Sequence, residues 1–501
     1  MSALRPAPGE WADRLGLAVL AAITIAIVAP RVAGFTTDSD AYLDVAANLL
    51  AGRGLTQTVV DFWRPGLPDP LGMWPPLFPL AVAGLAGLGV PLAPAGRLVA
   101  MLGLVAFALA FHALARRAGG RGLAAVATGL VLLAPGMAQA GVTAWSETLY
   151  LLLLTGAIVA TIDLARAPRP SIPPVAAAAG AGLLLGLAAD TRYIGIGLVP
   201  LAAALLWGAG VRGRAHAAWS AAAALPIVLW LAHNLAAFGR PLGPALAPGT
   251  RSIAAVAGGL LGALRWDFLP YPLARPAWVA LAALAGVAVA AAWAWRSRGA
   301  ARWAVAIAAA QLALVGLAVW GAGINEPHGR YTLVAWPFLT LAVCAAADAG
   351  LTRAFGASSA ARRARVAAAA LALVCVAAGL ARFLSATSVP PAAALARRQA
   401  QDAMVRLVPP GDSPILSDHG HLLRLATGHA AVQVPPSPFR AREFTAADAR
   451  RWRERGVTRA IFRADAAVSL GPYLAERLSG SAGSWAFEDS AAGFARFRIG
   501  P

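Results

Sequence analysis

Long stretches of this chain carry almost no charge. The runs 97–115, 145–163, 302–320 and 366–385 are built mainly from Ala, Leu, Val, Ile and Gly, with ionisable residues close to their ends. About 20 apolar residues suffice to cross a bilayer as a helix, which pairs all of its own backbone N–H and C=O groups. Similar runs recur at 14–34, 121–139, 174–190, 193–210, 217–236, 277–295 and 332–349. The pattern predicts an all-α polytopic membrane domain of about 11 transmembrane helices. Only 13% of residues are charged and 59% are hydrophobic, against roughly a quarter charged in soluble domains. A run at 15–29 with no small-x-small cleavage site after it reads as an uncleaved first span.

The net charge is +19 and every basic side chain is arginine. In a soluble protein that balance would suggest nucleic acid. Here the arginines lie in short loops between spans, so membrane lipids are the expected partner and nucleic acid is not. The two cysteines, Cys344 and Cys375, fall inside apolar runs and imply no disulfide framework.

One further apolar run, 75–92, is short and interrupted by Pro75, Pro76, Pro79 and Pro91. The bias of arginine toward cytoplasmic loops decides how to treat it. If it does not cross, Arg14, Arg116, Arg117, Arg121, Arg166, Arg212, Arg214, Arg296, Arg302, Arg353 and Arg365 all reach the same side. That places the N-terminus in the cytoplasm and the C-terminus outside. Three polar segments then lie outside, 35–96, 237–276 and the tail from about 386. The expected division is a membrane domain, 1–385, and an extracytoplasmic domain, 386–501. The tail alternates strand-like pieces (Pro414–Ser417, Ala431–Val434, Thr458–Phe462, Phe494–Ile499) with helical ones (Ala392–Leu407, Ala446–Arg455, Tyr473–Ser479). It reads as a small α/β domain.

Ionisable residues beside spans are costly and therefore candidates for function. Thr36-Thr37-Asp38-Ser39-Asp40-Ala41-Tyr42 follows the first span. Trp145-Ser146-Glu147, Asp190-Thr191-Arg192-Tyr193 and Glu326-Pro327-His328-Gly329-Arg330-Tyr331 sit at the outer ends of later spans. An Asp at this level could deprotonate a hydroxyl, and arginines could fork onto phosphate oxygens. Each also has a plain structural use. Asp38 or Asp40 could cap a helix, Glu147 suits a helix N-terminus, and Arg192 or Arg330 could snorkel. Their conjunction on one face carries more than any single member. Asp418-His419-Gly420-His421, with His429 nearby, matches no zinc-ligand spacing and reads as ordinary loop residues.

The segment from Asp38 through Tyr42 and Ala46 to Gly52 and Gly54 resembles the first outer loop of GT-C glycosyltransferases. The likeness is to the bacterial branch related to protein O-mannosyltransferases and the lipid A aminoarabinose transferase. Trp74-Pro75-Pro76-Leu77-Phe78-Pro79 resembles that group's non-crossing segment. Ser146-Glu147, Thr191-Arg192-Tyr193, His233-Asn234 with Phe238-Gly239, and Arg330-Tyr331 with Pro337 recur in similar places. In the tail, Ile415-Leu416-Ser417 and Thr427-Gly428 ahead of Val434-Pro435 resemble the group's outer domain. The resemblance implies Asp38 as catalytic base, Asp40 as a second carboxylate, and Glu147 as an acid that binds metal or substrate. It also implies a substrate-binding set of Tyr42, Arg192, Tyr193, His328, Arg330 and Tyr331. Some relatives carry Lys before the loop's Pro; Trp74 and Pro75 stand here, leaving Arg64 or Arg97 to supply that charge, or a different seat for the donor.

The function so implied is an inverting glycosyltransferase of the bacterial inner membrane. It would move a sugar from a polyprenyl-phosphate donor to an extracytoplasmic hydroxyl of a protein, lipid or polysaccharide. No cofactor is required, and a divalent metal is compatible with the acids. The competing readings are a transporter or flippase of lipid-linked glycans and a non-catalytic envelope assembly protein. A transporter would place ionisable residues at the bilayer midplane; here they gather at one face.

Overall fold

The computed structural model describes residues 8–32, 36–61, 69–166, 174–243, 251–268, 277–297, 299–322, 329–356 and 358–387, and in the tail 399, 402, 404–408, 411, 414–417, 420–433, 452–463, 485–491 and 494–499. In chain order the helices begin with α1 (Pro8–Val28), α2 (Thr37–Leu50), α3 (Leu77–Gly87), α4 (Leu92–Ala118), α5 (Arg121–Leu133) and α6 (Pro135–Ala140). They continue with α7 (Glu147–Arg166), α8 (Pro174–Ala189), α9 (Leu198–Gly208), α10 (Gly213–Phe238), α11 (Ile253–Phe268) and α12 (Ala277–Arg296). The last are α13 (Ala300–Ala322), α14 (Gly329–Thr332), α15 (Trp336–Phe355), α16 (Ser359–Thr387) and α17 (Gly420–Thr427). The strands are β1 (Thr56–Gln57), β2 (Val59–Asp61), β3 (Asp69–Pro70), β4 (Ile415–Ser417), β5 (Ala431–Gln433), β6 (Arg459–Arg463), β7 (Trp485–Ala491) and β8 (Phe494–Ile499).

The chain forms two compact units. The first comprises Met1–Gly34, Gly72–Phe78 and Arg97–Ser388; the second comprises Phe35–Leu71, Pro79–Gly96 and Val389–Pro501.

Among the described residues, seven helices are long and apolar enough to cross a membrane, all in or mostly in the first unit. Leu15, Val19, Ile23 and Ile27 recur every fourth residue along α1 and are exposed, as are Val366, Leu371 and Val374 on α16. Apolar stripes of this extent need lipid, not water, around them. This is a multi-pass membrane protein. At one end of the bundle Arg121 Nη2 donates to Asp13 Oδ1 at 2.7 Å, and Arg117 Nε donates to Asp163 Oδ1 at 2.7 Å. Those contacts gather the start of α1, the α4–α5 turn and the end of α7, where the sequence concentrates arginines.

Several spans differ from the lengths read in the sequence. The first ends at Val28 rather than continuing to 34. The run 121–139 breaks at Ala134, because Pro135 lacks the N–H that would continue the ladder and instead starts α6. The run 193–210 opens as a single 3-10 turn, Tyr193–Gly195, before α9 begins at Leu198. The run 332–349 is preceded by α14 and starts at Trp336, with Pro337 in its first turn. The segment 237–276, expected as a polar outer loop, contains α11. Its apolar core, Ile253–Leu264, is hidden in the sequence by the Pro, Gly and Arg on either side.

Two glycines one turn apart set the closest helix pair. A Cβ on Gly182 of α8 would lie 2.1 Å from the Trp219 carbonyl oxygen of α10, and one on Gly186 would lie 2.5 Å from that of Ala223. Small residues at this spacing let two backbones approach where hydrophobic transfer offers no drive. Gly182→Leu or Gly186→Leu must push α8 off α10. The expected cost is at least about 1–3 kcal/mol, checked as a lower thermal midpoint of the purified protein in detergent.

The second unit is built on a six-stranded mixed sheet in the order β2-β5-β4-β6-β8-β7, with β2, β5, β4 and β6 parallel and β8 and β7 antiparallel. All four strand-like pieces of the tail become strands, and β7 joins them. Of the helical pieces, residues 404–407 and 452–454 are helical, and Tyr473–Ser479 lies outside the described residues. The sheet is not made by the tail alone. Strand β2 comes from the first loop and pairs with β5 through Val59–Ala431, Val60–Val432 and Asp61–Gln433. Val59, Met404, Leu407, Ile415, Leu423, Ala431, Ile461 and Phe494 form its core.

Candidate active site

Glu147 is the first residue of α7 and is fully buried. Its Oε1 accepts from Arg192 Nη1 at 2.6 Å and from Arg330 Nε at 2.6 Å. The two guanidinium groups come from separate segments, one just after α8 and one on α14. Arg192 is held in extended backbone (φ −151°, ψ 129°) ahead of the 3-10 turn, which sends its side chain back across α7. Its Nη1 also donates to Ser146 Oγ at 3.3 Å. The Arg330 guanidinium stacks 4.3 Å from the centre of the Trp145 ring. Thus the tripeptide Trp145-Ser146-Glu147 organises both cations at the positive end of a helix.

Two cations thus share one carboxylate oxygen. Both arginine side chains stay partly open, 18% for Arg192 and 15% for Arg330, although Glu147 is enclosed. Among the described residues, Nε and Nη2 of Arg192 have no hydrogen-bond acceptor. The arrangement can therefore take an anion, with planar donors still to spend.

A second network lies beside it. The Tyr193 hydroxyl accepts from Trp230 Nε1 at 2.9 Å and Asn234 Nδ2 at 3.0 Å, and donates to the Gly72 carbonyl at 2.7 Å. That hydroxyl is fully used in fixing the 72–78 segment to α10. A Cβ on Gly72 would lie 2.2 Å from the Phe238 ring, so the approach is as close as the chain allows. The motifs around Trp74, Arg192, Asn234 and Phe238, far apart in sequence, meet here. The Tyr331 ring packs against Val256, Val315 and Val319 of α11 and α13. Arg97 donates to the carbonyls of Val142 at 3.0 Å and Ala29 at 3.1 Å. His328 and Arg64 lie outside the described residues, as do Asp418 and His419.

In the second unit, Asp38 and Asp40 occupy the first turn of α2. Residues two apart on a helix are about 200° apart around its axis, so these acids do not face each other. The Asp38 side chain is half-buried. Asp40 Oδ1 is buried with no hydrogen-bond partner among the described residues. Its desolvation pushes the carboxyl up to about 7. Tyr42, one turn on, is 3% exposed.

Sequence reasoning passed over two buried groups. Tyr150, one turn below Glu147, donates to Gln311 Oε1 at 3.2 Å, and Gln311 Nε2 donates to the Val334 carbonyl at 3.0 Å. This bridge ties α7 to α13 and to the turn that follows Arg330. A lone amide in the apolar run 302–320 was the available signal. The other is Asp44, read only as part of the first-loop motif.

Glu147 Oε1 faces two guanidinium groups at 2.6 Å, and its Oε2 is buried with no hydrogen-bond partner among the described residues. Among the described residues, no three His, Cys, Asp or Glu side chains are placed to share an ion.

No protein-family model matches the chain, and no curated protein matches it. Solved structures do. ArnT from Cupriavidus metallidurans, bound to undecaprenyl phosphate, superposes with a TM-score of 0.63 at 14% identity, over 98% of this chain and 98% of that one. The Archaeoglobus fulgidus oligosaccharyltransferase, in complex with Zn and sulfate, gives 0.57 at 13% identity, over 97% of this chain and 72% of that one. The arabinofuranosyltransferase AftD from Mycobacteria gives 0.54 at 19% identity, and this chain spans 40% of it. All three are GT-C glycosyltransferases, and the chain has their fold, a helical membrane domain with a C-terminal sheet domain.

Proposed function

We propose, with the GT-C fold as premise, that this membrane protein is an inverting glycosyltransferase whose donor is a sugar on polyprenyl phosphate. The observation that carries the reading is the buried Glu147 carboxylate holding Arg192 and Arg330 side by side on one oxygen, with both guanidinium groups partly open. A phosphate diester is an anion such a site fits, because Nε and Nη2 of Arg192 form a parallel pair of donors with no acceptor among the described residues. The ArnT structure with undecaprenyl phosphate supports the same class of ligand. The proposed location is the inner membrane of a bacterium, with the N-terminus cytoplasmic and the sheet domain outside.

In the reaction, an acid of α2 takes the proton of an acceptor hydroxyl. The hydroxyl oxygen attacks the anomeric carbon from the face opposite the phosphate. The new C–O bond forms as the bond from that carbon to the phosphate oxygen breaks. The electron pair leaves on polyprenyl phosphate, so the configuration inverts and no general acid is needed. Arg192 and Arg330 stabilise the charge that grows on the phosphate. The resemblance assigns the proton transfer to Asp38, with Asp40 as the second carboxylate. Glu147 acts as the organiser of the two cations and not as a base, since both guanidiniums stabilise its ionised form.

Purified protein given a polyprenyl-phosphate-linked sugar and a hydroxyl acceptor should form a product of opposite anomeric configuration. Absence of both transfer and polyprenyl phosphate binding, across a panel of lipid-linked sugars, would overturn the reading. Arg192→Gln should weaken polyprenyl phosphate binding by about 10–100-fold, the worth of one charge-assisted hydrogen-bond set of about 1.5–3 kcal/mol. A binding titration of the variant in detergent checks it.

A further inference from the structure

The helix that carries Asp38 and Asp40 is tied to the tail of the chain by one buried carboxylate. Asp44 lies one turn beyond Asp40 on α2, on the same face, and its side chain is 1% exposed. Its Oδ2 accepts from the backbone N–H of Thr58 at 2.6 Å and of Val59 at 3.0 Å. Its Oδ1 accepts from the Thr58 hydroxyl and from Arg424 Nε at 3.0 Å. Thr58 and Val59 lead into β2, which is paired with β5. Arg424 lies on α17, which runs between β4 and β5. One anchor thus opens a strand of the sheet and the other lies on the helix that links two of its strands, so a residue 380 positions away holds the acid-bearing helix.

We infer that Arg424 is a positioning residue for the transfer reaction, acting through Asp44 to fix the rotation of α2 and so the aim of Asp38 and Asp40. Within its unit, the sheet then sets the aim of the acid-bearing helix. A buried carboxylate with four donors is over-determined for mere packing of a 14-residue helix, since α2 also rests on Ala41, Leu43, Val45 and Ala46, all buried. Loss of the Arg424 donor leaves three donors on Asp44, enough to keep the helix folded and too few to hold its angle. This inference rests on the reading of α2 as the bearer of the reactive acids.

The experiment uses the full-length protein in detergent with Arg424→Gln and Arg424→Lys. Hydrogen exchange of the peptide spanning 37–50 is compared with that of α8 and α10, alongside kcat and donor KM. The Gln variant should exchange faster in 37–50 only. Its kcat should fall on the order of 10–100-fold, the effect of misplacing a reacting group by about 1 Å. Donor KM should stay within about twofold, as expected when the transition state alone is affected. The Lys variant should recover part of kcat. Unchanged exchange in 37–50 overturns the inference whatever the activity. So does faster exchange in both units, or kcat and KM failing together with no recovery by Lys, which mark loss of folding. Wild-type protein without transfer, but with the selective exchange change, refutes the proposed function and leaves the coupling of Arg424 to α2 standing.

Discussion

Asp38→Asn protein is expected to transfer sugar on the order of 10²–10⁴-fold more slowly than wild type, the usual contribution of a positioned general base. Its donor affinity should be nearly unchanged, because the residues proposed to hold the phosphate are Arg192 and Arg330. Asp40 answers to a different measurement. Burial holds its carboxyl up at about 7, so it gives up its proton within the neutral range and not near pH 4. If its ionised form takes part in turnover, kcat must rise with pH and level off above about 7. Stability runs the other way. In the unfolded chain the same carboxyl ionises near its ordinary value of 3.8, whereas the folded protein still holds the proton. The folded state binds more protons in that window, and stability falls as pH climbs from about 4 through 7. Asp40→Asn should flatten both dependences at once. A kcat profile of the Asn variant that keeps the wild-type rise would assign that ionisation elsewhere.

Much of this molecule could be read from its residues because lipid imposes a simple demand. A helix such as α13 must be apolar throughout its length, and the run 302–320 announces it. Even Gly182 and Gly186 are visible as a pair one turn apart, though their partner, α10, is not. Reading failed where the demand was local and mixed. The apolar stretch of α11 sits between segments rich in Pro, Gly and Arg, and its 16 residues fell below the expected length of a span. Strand β2 is three residues long and owes its existence to β5, some 370 residues on; nothing in Val59-Val60-Asp61 announces a parallel partner.

The candidate site shows the same division. Glu147, Arg192 and Arg330 could each be placed at a span end by composition and charge. That both cations share a single carboxylate oxygen could not, because hydrogen-bond geometry has no sequence periodicity. Arg424 was unreadable for another reason. It is one of 42 arginines, and only burial against Asp44 separates it from those that snorkel or solvate.

The sharing of Glu147 yields the second large effect, in which stability and binding part company. Glu147→Gln leaves two guanidinium groups side by side without the buried carboxylate they share. Breaking a buried pair in this way costs about 3–5 kcal/mol, and thermal unfolding in detergent should show it. Arg330→Gln is the opposite case. One cation is lost while Arg192 remains paired with Glu147, so unfolding should shift less while polyprenyl phosphate binding falls more. The double variant, Glu147→Gln with Arg330→Gln, removes one negative and one positive charge and so restores the wild-type balance. It should recover part of the stability lost by Glu147→Gln alone, a coupling well above the roughly 0.5 kcal/mol expected for independent sites. Donor binding should recover less, since the remaining guanidinium lacks the partner that oriented it. Additive losses of stability across this cycle would mean that the two side chains do not depend on each other, and the electrostatic account of the cluster would fall with them.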